Sequence, residues 1–218
     1  MENKNISMAV IKRMPRYYRY LGDLLDNDIL KISSKDLAQK MGITASQIRQ
    51  DFNNFGSFGQ QGYGYDVRLL YHEIKRIIGI DKVYSIIIIG AGNIGQALAN
   101  YQNFKRRGFN IIAMFDKNPK LIGELIGKLE VLDIETLPKF LEDNSVDIAV
   151  LSIPKLEAEK VSETIISGGV KGIWNFSPVD IKAPEGVIVE SVPLTDSLMT
   201  LSYRLSEESI LERINLHK

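Results

Sequence analysis

The chain has 218 residues, which is enough for one or two domains. We expect it in the cytoplasm, because it has neither a signal-peptide core nor a stretch approaching the roughly 18 apolar residues of a membrane span. It has no cysteine and only two histidines, which excludes disulfides, thiolate catalysis and cysteine-ligated metal and leaves a metal site unexpected. The net charge of zero hides an asymmetry: residues 1–80 carry 12 Lys/Arg against 8 Asp/Glu, and the rest carries 15 against 19, so the first part is the one expected to meet a polyanion.

The first predicted helix begins around Pro15, which suits a first helical turn, and runs to about residue 25. Its apolar stripe consists of Tyr17, Tyr20 or Leu21, Leu24 and Leu25. Basic side chains surround the stripe and form either a solvated face or contacts to phosphates or to another domain. They are Lys12, Arg13, Arg16 and Arg19.

Residues 33–52 predict a helix-turn-helix. Ser33 with Asp36, and Thr44 with Gln47, have the spacing of capping boxes, and a glycine at position 42 can end the first short helix. In the second helix Ile48, Phe52 and Phe55 recur on one face, so polar residues lie on the others. Candidates for DNA contact there, by bonds to phosphates or base edges, are Ser46, Gln47, Arg49, Gln50 and Asn53.

Glycines alternate with aromatic residues between positions 56 and 65, a pattern that predicts a β-hairpin wing. The alternative is a flexible linker, against which the three interleaved aromatic rings argue. Gln60 and Gln61 lie in this wing and are further candidates for DNA contact. A helix over residues 67–78 is expected to complete the domain.

The strongest motif of the chain lies at residues 85–95. Four consecutive isoleucines predict a strand that is buried on both faces, and Gly90, Gly92 and Gly95 follow it with the G-x-G-x-x-G spacing of a dinucleotide-binding loop. We expect a helix over residues 96–107 to point its amino end at a pyrophosphate. A second strand, residues 110–116, ends in Asp116, whose carboxylate is expected to bind ribose hydroxyls and favour NAD over NADP. The alternative for Asp116 is a capping or surface role.

Helix and strand continue to alternate after Asp116, with strands expected over residues 129–132, 146–152, 171–176 and 187–190 and helices over 134–142 and 156–166. This order predicts an α/β fold with a Rossmann-like, doubly wound parallel sheet. Ligands of such sheets bind beyond the carboxyl ends of the strands. The candidate cofactor-binding residues are Gly90, Ala91, Gly92, Asn93, Ile94, Gly95, Gln96, Asp116, Lys117, Ser152, Pro154, Asn175 and Ser177.

The last segment, residues 194–216, reads as a leucine-rich helix that is more apolar than a free end requires, so we expect it to pack against another surface, with a second subunit as one candidate. The predicted domains are a winged-helix DNA-binding domain (residues 1–80), a Rossmann NAD(H)-binding domain (81–192) and a C-terminal dimerisation helix (193–218).

Taken together, the chain resembles the bacterial Rex family of redox-sensing transcriptional repressors. The similarity rests on the order of five stretches, which are 13–18 (RMPRYY), 46–52 (SQIRQDF), 55–59 with 62–65 (FGSFG and GYGY), 90–95 (GAGNIG) and 175–178 (NFSP). The resemblance implies a homodimer that binds a palindromic operator in double-stranded DNA, senses NADH against NAD+ and is released when NADH binds. It also implies that the C-terminal helix is swapped between subunits.

The chain departs from the family's pattern in two regions. Many members carry basic residues where this chain has Gln50, Gln60 and Gln61. Where members often have an aspartate before the terminal helix, this chain has Pro193, with Asp196 three residues later. The family's gating contact joins that aspartate to residues matched here by Tyr101 or Arg16. We therefore expect Arg16, Tyr101 and Asp196 to carry allosteric coupling.

Two other functions fit parts of the sequence. A nicotinamide-dependent oxidoreductase would use Tyr101 and Lys105, which have the Tyr-x-x-x-Lys spacing of short-chain dehydrogenases, but that pair normally lies much further from the glycine loop. The enzyme hypothesis also leaves residues 1–80 without a role. A CoA- or nucleotide-binding module with a protein-interaction domain explains the sheet, but not the combination of Asp116 with two capped short helices.

Overall fold

The computed structural model describes residues 6–56, 59–60 and 64–215, and the side chains of these residues other than 59–60 and 208–215. The chain divides into two compact units, residues 1–82 and 83–218. Among the described residues, no helix has both the length and the apolar character that crossing a membrane requires.

The first unit contains helices and a small antiparallel sheet with the strand order β1-β3-β2. Its helices are α1 (Met8–Ile11), α2 (Met14–Asp26), α3 (Ser34–Met41), α4 (Ala45–Asn53) and α5 (Val67–Ile77). Its strands are β1 (Lys31–Ile32), β2 (Gly59–Gln60) and β3 (Gly64–Asp66). The pairing of β2 with β3 confirms the predicted wing, whereas β1 was not predicted.

The helix-turn-helix forms where the capping residues predicted it. The Ser33 hydroxyl accepts a hydrogen bond from the backbone N–H of Asp36, and Gly42 ends α3 with a left-handed φ of 64°. The hydroxyl of Thr44 likewise accepts from the N–H of Gln47 at the start of α4. The amide nitrogen of Gln47 donates to another residue of α4.

The core of the first unit forms from the predicted stripes. Tyr17 and Leu21 of α2 and Ile48 and Phe52 of α4 are almost completely buried. The Tyr17 and Phe52 rings contact each other at a centroid distance of 4.9 Å. This packing leaves Ser46, Arg49, Gln50 and Asn53 of α4 exposed to solvent.

The second unit is a seven-stranded sheet with the order β10-β9-β8-β4-β5-β7-β6, in which only the pairing of β6 with β7 is antiparallel. Its strands are β4 (Tyr84–Ile89), β5 (Phe109–Asp116), β6 (Leu125–Ile126), β7 (Leu129–Asp133), β8 (Ile148–Leu151), β9 (Gly172–Asn175) and β10 (Ile188–Ser191). Its helices are α6 (Asn93–Ala99), α7 (Asn103–Arg106), α8 (Leu137–Asp143), α9 (Lys155–Ser167) and α10 (Leu194–Asn215). The direction of winding reverses between β4 and β8, which is where such sheets bind ligands.

The isoleucines of β4 contribute to both faces of the sheet, as predicted. Ile87 and Ile89 pack in the cluster that contains residues of α8 and α9. Ile86 and Ile88 pack in the opposite cluster, together with Leu98 of α6. A strand between two apolar layers requires apolar side chains at every position, which explains why β4 shows no alternation.

The prediction of one helix over residues 96–107 was wrong. The helix begins earlier, at Asn93, and ends at Ala99, and the short α7 follows from Asn103. Asn100 accounts for the end of α6, since its backbone and side-chain N–H groups both donate to the carbonyl of Gln96. Tyr101 therefore lies in the turn between α6 and α7. The expected helix 134–142 also begins with a separate 3-10 turn, Ile134–Thr136.

Candidate functional site

The three glycines of the loop after β4 have separate steric roles. Gly90 has a φ of 102°, and a Cβ there would lie 2.5 Å from the carbonyl oxygen of Ser152. A Cβ on Gly95 would overlap the carbonyl oxygen of Gly90, so this glycine lets α6 approach the loop. Gly92, in contrast, has no atom within 4 Å of such a Cβ. Its open side is the space that a pyrophosphate requires.

Asp116 closes the loop from the end of β5. Its Oδ2 accepts a 2.6 Å hydrogen bond from the N–H of Ala91, and its Oδ1 accepts a 2.8 Å bond from the N–H of Asn118. A carboxylate oxygen can accept two hydrogen bonds, so each oxygen keeps capacity for a donor such as a ribose hydroxyl. The two backbone bonds fix the carboxylate beside the glycines.

A cleft of about 160 Å³ opens at this edge of the sheet. It is smaller than the roughly 300 to 1,000 Å³ of a typical small-molecule site, so it fits one part of a dinucleotide. The lining residues are Ile89, Gly90, Gly92, Phe115, Asp116, Lys117, Ile134, Ser152, Ile153, Pro154, Glu157 and Val161. This lining suits a nucleotide, because it combines apolar side chains that can contact a base with the Asp116 carboxylate, which can bind ribose hydroxyls.

Several predicted cofactor residues lie outside this lining. The Gln96 side chain donates to the carbonyl of Ala91 at 2.8 Å, while Asn93 is exposed and Ile94 is half-buried on α6. The buried Asn175 donates to the carbonyl of Val179. Ser177, also buried, donates to the carbonyl of Ile153, a residue of the cleft. Binding of cofactor by these residues stays a prediction.

Ile134, Glu157 and Val161 are among the cleft residues that were not predicted from the sequence. They lie in the segments that follow β7 and β8, at the same edge of the sheet as the glycine loop. Pro154 was the sequence signal that could have identified Glu157 and Val161. A helix that begins just after this proline places its first residues near the carboxyl end of β8.

Helix α4 presents the polar face that was predicted for DNA contact. Ser46, Gln50 and Asn53 are exposed. The exposed Arg49 donates to the hydroxyls of Ser34, at 3.0 Å, and Ser46, at 3.1 Å. These bonds direct a positive charge along the junction of α3 and α4, where a phosphate would meet the helix-turn-helix.

Asp51, on the inner side of α4, is a buried carboxylate that the sequence analysis did not identify. Its side chain is fully buried, and both oxygens bind Arg13, at 2.7 Å each. Tyr17 donates to Oδ2 and Gln47 donates to Oδ1, each at 2.8 Å. Burial alone would raise the pKa of Asp51, but the bonds from Arg13, Gln47 and Tyr17 outweigh it and hold the pKa below its usual value.

This cluster changes the interpretation of two predicted DNA contacts. The hydrogen bond to Asp51 raises the pKa of Arg13, whose guanidinium is committed to an internal ion pair rather than to the solvated face. The amide nitrogen of Gln47 is also bound, which leaves its oxygen for another donor. Burial and the bond to Asp51 likewise raise the pKa of Tyr17.

The other sequence candidates lie in separate places. Arg16 is exposed on α2, Tyr101 is half exposed in the turn between α6 and α7, and Asp196 lies in the first turn of α10. Gln60 belongs to β2, with its side chain outside the described atoms, and Gln61 lies outside the described residues.

Comparison with known proteins matches both units. Residues 5–53 match the family model "Putative DNA-binding protein N-terminus", and residues 81–179 match the model "CoA binding domain". The redox-sensing transcriptional repressor Rex of Clostridioides difficile (strain 630) is 58% identical over 205 residues, which cover 94% of this chain and 98% of that protein. The repressor of the same name from Thermoanaerobacter sp. (strain X514) is 56% identical over 96% of this chain and 93% of its own length.

The chain belongs to the Rex family of redox-sensing transcriptional repressors. Its relatives are named as repressors, so it is a regulator and not an enzyme. Solved Rex-family structures have the same fold. A crystal structure of the repressor RSP in complex with NAD+ and operator DNA matches with a TM-score of 0.90, 54% identity and 98% coverage of both chains. A structure of RSP with NADH matches with a TM-score of 0.88 and 51% identity, over 97% of this chain and 100% of that one.

Proposed function

We propose that the chain forms a cytoplasmic homodimer that binds a palindromic operator, binds NADH and NAD+ in its second unit, and releases DNA when NADH binds. The observation that carries this proposal is the match to RSP, whose structure contains NAD+ and operator DNA and which shares 54% of its residues with this chain over almost the full length. The two candidate sites supply the chemistry that each ligand needs.

The cleft beside Asp116 would hold the adenosine side of the dinucleotide. Its ribose hydroxyls would donate to the free capacity of the Asp116 oxygens, and the pyrophosphate would pass over the open side of Gly92. Pro154 and Val161 offer apolar surface for the base. The nicotinamide, when bound, supplies the two redox states that the repressor distinguishes.

In the first unit, α4 would enter the major groove, with the wing beside it. Gln50 and Asn53 are exposed amides able to form paired hydrogen bonds with base edges, and Arg49 is placed for a phosphate. Arg16 would add a second cation on α2. Arg13 would contribute by holding α4 in place, because its charge is bound to Asp51.

Helix α10 supports the homodimer. Its leucines Leu198, Leu201 and Leu205 are more than half exposed in the single chain, at 65%, 51% and 58%. The sheet face beneath α6 and α7 carries an apolar cavity of about 210 Å³ whose lining includes Phe104 and Trp174. Parallel sheets are normally covered on both faces, and α10 of a second subunit is the cover that we propose.

The dimer is tested by introducing charge into α10. Replacing Leu201 and Leu205 together by aspartate should give a monomer in sedimentation velocity, because two charges cannot be buried unpaired in an interface. The matched control is Thr200→Asp, an exposed position on the side of α10 away from these leucines, and it should leave the dimer intact. If the double leucine variant stays dimeric, α10 is not the interface.

Release of DNA requires that NADH bind the DNA-incompetent arrangement more tightly than the competent one, since a ligand without such a preference shifts nothing. We propose that Arg16, Tyr101 and Asp196 carry this coupling. Their exposure leaves them free to exchange partners between two arrangements. A double-mutant cycle on Arg16→Ala and Asp196→Ala, scored by operator affinity with and without NADH, measures their coupling.

The central experiment uses a duplex that the full-length protein selects from a randomised palindromic library. Fluorescence anisotropy then measures its affinity while NADH and NAD+ are titrated separately. We expect NADH to weaken binding and NAD+ to leave it nearly unchanged. An affinity that neither dinucleotide alters would overturn the proposed function.

A further inference from the structure

Two residues that line the cleft beside Asp116 form an ion pair. Lys117, which directly follows Asp116, places its Nζ 2.7 Å from Oε1 of Glu157 in the first turn of α9. Both residues belong to the cleft lining. The lysine side chain is 66% exposed and that of the glutamate 31%, so the carboxylate is the more enclosed partner. A cation and an anion therefore lie next to the acid that is expected to bind ribose.

A cation at this position would normally favour the phosphorylated cofactor. A basic side chain near the ribose is what accommodates the 2′-phosphate of NADP, and an unpaired Lys117 would offset the repulsion that Asp116 exerts on that phosphate. The amino end of α9 adds partial positive charge in the same place. Asp116 alone therefore does not explain a preference for the unphosphorylated dinucleotide.

We infer that Glu157 determines cofactor specificity by neutralising Lys117. With Glu157 in place, the ammonium is bound and the three side chains together carry one net negative charge, which repels a 2′-phosphate but not a ribose hydroxyl. Glu157 also offsets the positive end of α9, whose first turn it occupies. The inference rests on the proposed binding of dinucleotide in this cleft.

The test measures NADH and NADPH affinities of the full-length protein by calorimetry. Glu157→Gln should lower the preference for NADH by roughly tenfold, the size of one charge–charge interaction in a partly exposed site. Glu163→Gln is the matched control, because Glu163 is an exposed residue of the same helix outside the cleft. It should keep the parent ratio.

A second variant tests whether Glu157 acts on cofactor preference through Lys117. In the double variant Lys117→Ala, Glu157→Gln the cation is gone and Asp116 again supplies the one net negative charge, so the parent ratio should return. The inference is overturned if Glu157→Gln behaves as Glu163→Gln, if it binds neither dinucleotide, or if the double variant keeps the ratio of Glu157→Gln. A parent protein that binds neither dinucleotide would instead refute the proposed function.

Discussion

Replacing Asp51 by asparagine removes one charge from the first unit with almost no change in shape. Four donors converge on the carboxylate, two from Arg13 and one each from Tyr17 and Gln47. An asparagine offers one acceptor oxygen, and its NH₂ group must face a donor of Arg13 whichever way the amide turns, because Arg13 binds both oxygens. The substitution therefore breaks an ion pair and creates a contact between two donors.

The expected loss of stability is about 3 kcal/mol. Net contributions of hydrogen bonds to charged groups run to about 1.5 to 3 kcal/mol each, and breaking a buried ion pair by removing one partner costs about 3 to 5 kcal/mol. The Arg13 side chain is 30% exposed, so water recovers part of its solvation, and this places the estimate at the lower end.

Hydrogen-exchange mass spectrometry of the full-length protein gives the opening free energy of each segment separately. We expect reduced protection in peptides that cover α2 and α4 and unchanged protection in peptides that cover β4, which belongs to the other unit. The matched control is Asp23→Asn, which removes the same charge from an exposed position of α2. If α4 opens within about 0.5 kcal/mol of this control, the cluster does not stabilise the unit.

The same comparison made across pH tests the charge state of Asp51. Its pKa in the folded protein lies below the unfolded value of about 3.9, so the carboxylate contributes stability that is present above that value and is lost as the pH falls through the folded pKa. The difference between parent and Asp51→Asn should stay constant above about pH 5 and shrink below about pH 4. A difference that is independent of pH would assign the effect to shape rather than charge.

Three further predictions concern the ligand sites. Gly92→Ala should weaken NADH binding without lowering the melting temperature of the second unit, because its Cβ meets only open space. Gly95→Ala should lower both the NADH affinity and that melting temperature, because its Cβ overlaps the Gly90 carbonyl. Equal melting temperatures of the two variants would contradict this. Asp116→Ala should weaken NADH binding and reduce discrimination against NADPH in calorimetry, and unchanged selectivity would remove it from the site. Arg49→Ala should weaken binding to all DNA duplexes alike and lower the salt dependence of the binding constant (the slope of log K against log salt) by about one. Gln50→Ala should instead cost about 1 to 3 kcal/mol of binding free energy on the operator alone. Identical effects of the two variants would refute the assignment of Arg49 to phosphate and Gln50 to a base.

Features that depend on neighbours along the chain were predictable from the sequence. The capped helices α3 and α4 and the loop at Gly90 follow from backbone conformations that only certain residues adopt at fixed spacing. The buried β4 follows from four isoleucines, because no amphipathic element tolerates such a run. The break between α6 and α7 was missed because Asn100 ends α6 with a side-chain bond that the helical periodicity does not reveal.

Tertiary structure decided which charges meet. Asp51 looks like any polar residue of α4. Only the folded first unit brings Arg13 to it across 38 positions of sequence and commits the guanidinium to an internal ion pair. Glu157 is likewise one of several acids on α9. It meets Lys117 because the parallel sheet places the carboxyl ends of β5 and β8 at the same edge, on either side of β4. Charge interactions act through space and decay with distance, so their partners follow from the fold and not from spacing along the chain.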